Sequence, residues 1–268
     1  MNRNTTVVFL ALALVAVATA SLAQFHIGAT TAFTGTAVLD KGLRSDPRYE
    51  AAITYNFSPI GVSTGFDFTP KFGLQLETIV TNAGQIYDIV NTAKSVAGER
   101  TIDVSYLDLP LLLNFMGGGG NKARANFNFG PQLSFLTDAI ETADYKAGIY
   151  EFPEGTDLPE GVGAVDNGDG TFTIPADVQN QVVAVKEEFS NMVLQIAGSF
   201  GLNVDLSKHL YLTSIIRFNY SLTDMRGADL VNSIKSGSTA DIFGARANAV
   251  VGIQLGLHYM VGLTKSFK

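Results

Sequence analysis

The sequence predicts an all-β fold, an eight-stranded antiparallel transmembrane β-barrel with short periplasmic turns and long extracellular loops. Three observations lead there. Residues 122–135, KARANFNFGPQLSF, alternate between a polar list (Lys122, Arg124, Asn126, Asn128, Gln132, Ser134) and an apolar one (Ala123, Ala125, Phe127, Phe129, Leu133, Phe135). Alternation at period two marks a strand with two unlike faces. Seven further stretches repeat the pattern, and the joints between them are alternately short and long, as in barrels that turn tightly on one side of a membrane and loop out on the other.

The amino end reads as a leader. Arg3, an apolar run from Val7 to about Ala18 and the small-residue pattern Ser21, Leu22, Ala23 form a secretory signal over residues 1–23,. Its apolar run is shorter than the ~20 residues a helical span requires. The barrel domain then occupies residues 24–268.

The first strand carries Phe25, Ile27, Ala29 and Phe33 against His26, Gly28 and Thr30; the second carries Val62, Phe66 and Phe68 against Ser63, Gly65 and Asp67. A turn at Pro70 and Lys71 leads to the third, with Phe72, Leu74, Leu76 and Val80 against Gln75 and Glu77. The fourth, YLDLPLLLNF, sets Leu107, Leu109, Leu111, Leu113 and Phe115 against Asp108 and Asn114, and its Pro110 predicts a bulge or a missing ladder bond,. Upstream, Ile102 and Val104 share the parity of Asp108, which fits a bulge or an exit from the apolar zone near Ser105. Residues 122–135 are the fifth strand. The sixth alternates Leu194, Ile196, Phe200 and Leu202 with Gln195, Ser199 and Asn203, the seventh Leu212, Ile216, Phe218 and Tyr220 with Thr213, Arg217 and Asn219, and the eighth Val251, Ile253, Leu255 and Leu257 with Asn248, Gln254 and His258.

Such alternation suits two surroundings. A soluble sandwich or ligand-binding calyx hides its apolar face and wets its polar one; a membrane barrel does the reverse. The polar faces here are built of Gly, Ser, Asn and Gln with isolated charges rather than abundant Lys and Glu, which favours a narrow, crowded lumen,. Outer-membrane lipid is then the partner of the apolar face.

YLDLPLLLNF (Tyr106 to Phe115), a glycine-rich turn and the strand FNFGPQLSFL (Phe127 to Leu136) resemble the PorT-like outer-membrane β-barrel proteins of Bacteroidota. The family form runs Tyr-Leu-Glu/Asp-Ile/Leu-Pro-Leu-Leu, a turn, then a strand with Gly-Pro, and the likeness in strand order extends from about Gln24 to the carboxyl end. It implies an eight-stranded barrel in the outer membrane of a diderm (Gram-negative) bacterium and no particular activity. The long acidic insertion after Phe135 and the tail GLTKSFK, with Phe267 penultimate, depart from the family pattern.

Composition excludes several classes. With 25 acidic and 18 basic residues, nucleic acid is not an expected partner,. There is no cysteine, hence neither a disulfide framework nor a lipidated amino-terminal cysteine,. Three histidines and the absence of GxSxG and HExxH motifs argue against an enzyme,, and no cofactor is expected.

The charges on polar faces, Asp67, Glu77, Asp108, Lys122, Arg124, Asp205 and Arg217, are expected to pair as a lumen charge network, with His26 and His258 as lumen polar groups on strands that adjoin if the barrel closes,. His209, at a short turn, should be solvated. A long extracellular loop at about 139–188 is rich in carboxylates, from Glu141 to Glu188, against Lys146 and Lys186 alone. Within it Asp166, Asn167 and Asp169 are a weak calcium candidate, and a tight hairpin turn at Asp169-Gly170 is the alternative. The expected function is a structural or surface-interaction role carried by the loops, with an extracellular protein or glycan as ligand and the monomer as the working form. A narrow passive channel for ions or small solutes and a secreted soluble ligand-binding barrel are the alternatives.

Overall fold

The computed structural model describes residues 24–117, 122–154, 158, 163–237 and 241–261; the expected leader and the terminal tail lie outside them. The described residues form strands β1 (Gln24–Asp40), β2 (Tyr49–Ala51), β3 (Thr54–Thr69), β4 (Phe72–Asn82), β5 (Gln85–Val90), β6 (Val96–Met116), β7 (Ala123–Tyr145), β8 (Gly148–Glu151), β9 (Val165–Asp166), β10 (Thr171–Ile174), β11 (Val178–Val185), β12 (Met192–Asp205), β13 (Leu210–Ser221) and β14 (Arg246–Val261). Short helices at Lys41–Ser45 and Ala228–Lys235 lie in two of the long joints. No described helix is long and apolar enough to cross a membrane.

The expected fold class, an eight-stranded antiparallel transmembrane barrel with short turns and long loops, is corrected. The strands form one eleven-stranded sheet in the order β11-β7-β12-β13-β14-β1-β3-β4-β6-β5-β2, with β7 also paired to β6, and a separate three-stranded sheet in the order β8-β10-β9. The molecule is a mostly-β domain built on this large sheet. The eight alternating segments lie in β1, β3, β4, β6, β7, β12, β13 and β14, all in antiparallel register. The extra strands come from what reads as loop. β6 runs for 21 residues and β7 for 23, about twice the ~9 to 11 a tilted strand needs to cross a bilayer. Their far halves pair with β5 and β11, and β2 adds to β5.

The two halves of these long strands obey opposite rules. In the near half the apolar residues face out and the polar ones in: Phe129 is 42% exposed and Asn128 1%. Near the short turns the outward rings of Phe66, Phe68, Phe72, Phe115 and Phe127 form a chain with successive centroids 5.1 to 6.2 Å apart, the arrangement of an interfacial aromatic girdle. In the far half the interior holds an apolar core. Val38, Tyr87, Ile102, Val104, Tyr106, Phe189 and Met225 are buried together there. A second apolar cluster, with Ile89, Tyr145, Tyr150, Phe152 and Ile174, fastens the three-stranded sheet to the extension.

A bulge marks the change on β7. Ser105 pairs with Asp138 and Tyr106 with Leu136, leaving Thr137 as an extra residue. Past it the parity of β7 inverts, so that Ala139, Glu141, Ala143 and Tyr145 turn inward,. β6 keeps its parity past Ser105, and at Pro110 its register with β7 is unshifted.

Candidate functional site

The interior of the near half holds most of the charges picked out by parity. Arg217 on β13 is the centre of one group. It forms an ion pair with Glu77 on β4, and also donates to Gln254 at 3.0 Å, Gln132 at 2.9 Å and Asn219 at 3.2 Å. A guanidinium fork suits such multiple planar contacts. Asp108 is buried and accepts from Thr81 at 2.8 Å. Arg124 and Asp205 meet at 2.8 Å nearer the short turns, both partly exposed. Lys122 is exposed and joins none of these contacts.

His26 and His258 come together because β1 pairs with β14 along their lengths. Their rings lie 5.8 Å apart, Tyr211 stacks on His258 at 4.7 Å, and Ser63 Oγ is 3.3 Å from His258 Nδ1. His26 Nε2 stands 3.7 Å from Asp67. The rings occupy space that glycines leave free: a Cβ on Gly28 would strike His258, and one on Gly65 would strike His26. His209 is exposed and stacks on Tyr259 at 5.9 Å.

Asp166, Asn167 and Asp169 lie on the exposed turn between β9 and β10. Asp166 accepts from the Gly168 N–H at 2.8 Å, Asp169 from the Thr171 N–H at 3.0 Å and its hydroxyl at 2.6 Å, and Asn167 Oδ1 from the Thr173 hydroxyl at 3.1 Å. These oxygens serve the turn itself. Among the described residues no group of three or more His, Cys, Asp or Glu is placed to hold a metal ion.

A larger constellation lies beyond the apolar band, and of its members the sequence singled out Glu141 alone, as a loop carboxylate. Arg246 at the start of β14 donates to Asp40 at 2.7 Å and to Glu141 at 2.7 Å. Arg100 on β6 donates to Glu141 at 2.7 Å and grips both oxygens of Asp241 at 2.7 and 2.8 Å. Arg226 bonds Asp224 at 2.9 Å and approaches Asp40 at 3.7 Å. Arg100, Arg246, Glu141 and Asp40 are each 1% exposed. Four strands and the segment joining β13 to β14 thus meet in one cluster of three arginines and four carboxylates across the interior.

The electrostatics follow from that contact list. Burial alone would raise the Asp241 carboxyl, but the Arg100 guanidinium bonded to it and Arg246 beyond hold it well below the usual carboxylate range,. Asp224 is likewise held low, burial being outweighed by its bonds from Arg226.

Parity contained part of this signal. Asp40 continues the inward series of β1, Arg100 that of Asp108 on β6, and Arg246 that of Asn248 on β14. Glu141 was hidden by the bulge, and Asp224, Arg226 and Asp241 lie outside the strands, where periodicity says nothing.

A sheet with lipophilic residues outside, ion pairs inside and an aromatic girdle near its short turns defines an outer-membrane β-sheet protein. The chain belongs to the family described as outer membrane protein beta-barrel domain, which matches residues 19–227. No curated protein matches it. Solved structures similar to it include neisserial surface protein A, at 9% identity and TM-score 0.38 over 87% of this chain and 95% of that one. OprG from Pseudomonas aeruginosa is similar at 13% identity and TM-score 0.42, over 91% and 98% of the two chains. Ail of Yersinia pestis, solved with the heparin analogue sucrose octasulfate, has 9% identity and TM-score 0.38 over 88% and 99%. The family assignment rests on the first match alone.

Proposed function

We propose that this outer-membrane protein is a non-enzymatic, non-conducting platform, whose work is surface interaction carried by the folded extension outside the cell. The observation that carries this reading is the extension itself. The far halves of β6 and β7, with β2, β5 and β11, pack over a closed apolar core, and the three-stranded sheet is pinned to them. A chain that only lined a pore would not need a second core beyond the membrane. The Arg100, Arg246, Glu141 and Asp40 cluster supports the absence of conduction, because its cross-strand ion pairs span the interior of that extension.

In this reading residues 1–23 direct export, lipid covers the Phe129 face, the protein works as a monomer, and the ligand is an extracellular protein or glycan. A place among PorT-like barrels of Bacteroidota is part of the proposal, supported by YLDLPLLLNF and the Gly-Pro strand.

Planar-bilayer recording of the refolded chain tests the first half: silence is expected, and reproducible unitary steps would favour the passive-channel alternative. Nanodiscs carrying the chain, compared on protein and glycan arrays with a variant in which residues 147–176 are replaced by a short Gly-Ser linker, test the second. Binding unchanged by that replacement would move the function off the three-stranded sheet.

A further inference from the structure

We infer that the interior near the short turns is a binding site for one small hard cation of the alkali-ion class, held by side-chain amide oxygens and a single carboxylate.

A small cavity of about 10 Å³ lies there, and Asp67, Asn114, Asn126 and Asn128 line it. Each is more than nine-tenths buried. Each also has one side-chain oxygen, Oδ1, with no hydrogen-bond donor among the described residues. Leaving a buried acceptor without a donor is costly, so four around one cavity call for a common partner.

The register explains why they converge. Asp67 pairs with Gly73, Gly73 with Asn114, and Asn114 with Asn128, a single row across β3, β4, β6 and β7. Gly73 has no side chain in that row, and a Cβ there would collide with Asp67 Oδ1. The carboxylate therefore lies over the gap, toward Asn114. Asn126 adds its oxygen two residues along β7.

The orientation of the Asn114 amide is determined by its other bonds. Gln75 Nε2 donates to Glu77 at 2.6 Å, and a carboxylate only accepts,. Gln75 Oε1 is therefore the atom that accepts from Asn114 Nδ2 at 3.2 Å, which leaves Asn114 Oδ1 facing the cavity. Asn128 Nδ2 donates to Ser199 Oγ at 2.8 Å and Asn126 Nδ2 to Asn203 Oδ1 at 3.0 Å.

Water does not satisfy this set. A cavity of that size admits about one molecule, and one water donates two hydrogen bonds to four waiting oxygens. A cation serves all of them at once. Charge points the same way: Glu77 is matched by Arg217, while among the described residues Asp67 has only His26 Nε2 at 3.7 Å, beyond hydrogen-bond distance. One unmatched carboxylate among neutral amides suits a monovalent ion. A divalent ion draws on several carboxylates, and no such group is present among the described residues.

The test uses the full mature chain refolded in detergent, with choline chloride holding ionic strength constant. Sodium or potassium chloride should raise the thermal midpoint saturably in the wild type, and Asp67→Asn, which keeps shape and removes charge, should weaken the apparent ion affinity at least tenfold. Crystals soaked in thallium(I) should show one anomalous peak bounded by Asp67, Asn114 and Asn128. An ordered water with no thallium peak, or an equal ion-dependent shift in Asp67→Asn, would overturn the inference. Because the thallium readout is independent of folding yield and of ligand binding at the extension, its failure is distinct from failure of the surface-interaction reading.

Discussion

Arg246 on β14 and Glu141 on β7 meet at 2.7 Å although 105 residues separate them in the chain. The contact exists because β14 reaches past the apolar band and a bulge turns β7 inward at the same level. Replacing Arg246 by Met leaves Glu141 and Asp40 buried with one guanidinium fewer, a change that typically costs about 3 to 5 kcal/mol. Arg246→Lys keeps the charge but loses the fork and should fall between. Urea unfolding in lipid vesicles, followed by tyrosine fluorescence, orders the three proteins; equal midpoints would remove the cluster from the stability of the fold.

Asp241 makes stability sensitive to acid. Its folded carboxyl is held below the usual range by Arg100 and Arg246, so through the acid range the folded state binds fewer protons than the unfolded one. The stabilisation is complete above the ordinary carboxylate pKa and is lost as pH falls toward the lower folded value. Asp241→Asn should be less stable at neutral pH and lose less between pH 5 and pH 3. Parallel pH profiles for the two proteins would contradict this assignment.

Phe129 faces outward in the middle of its strand, with Asn128 beside it facing in. An arginine at Phe129 should cost ~2 to 4 kcal/mol if lipid covers that face. An arginine at Asn128 gains nothing from the polar interior, because the cavity beside it holds only about 10 Å³ and Asn128 already bonds Ser199; overpacking typically costs about 1 to 3 kcal/mol. Vesicle-based unfolding distinguishes these, since thinning the bilayer should relieve the first variant and not the second.

Met225 is fully buried in the apolar core of the extension. Met225→Ala should cost about 2 to 5 kcal/mol, and the damage should stay local. Limited proteolysis is expected to open residues 222–245 while the heat-modifiable migration of the membrane half on gels survives. Loss of both together would show that the two halves fold as one unit.

What the sequence determined by itself is the two-faced character of eight strands, since a period of two survives in the chain wherever one face meets a uniform apolar surface and the other a polar interior. Phe127, Phe129 and Leu133 outside with Asn126, Asn128 and Gln132 inside were legible for that reason. Only the tertiary structure decided what lies past the band. There both faces of a strand meet mixed surroundings, one unpaired residue at Thr137 inverts the pattern, and Arg226 and Asp241 reach the cluster from segments with no period at all. Register decided the rest, because which charges and amides share a row depends on how strands slide against one another, and alternation within a strand does not record that.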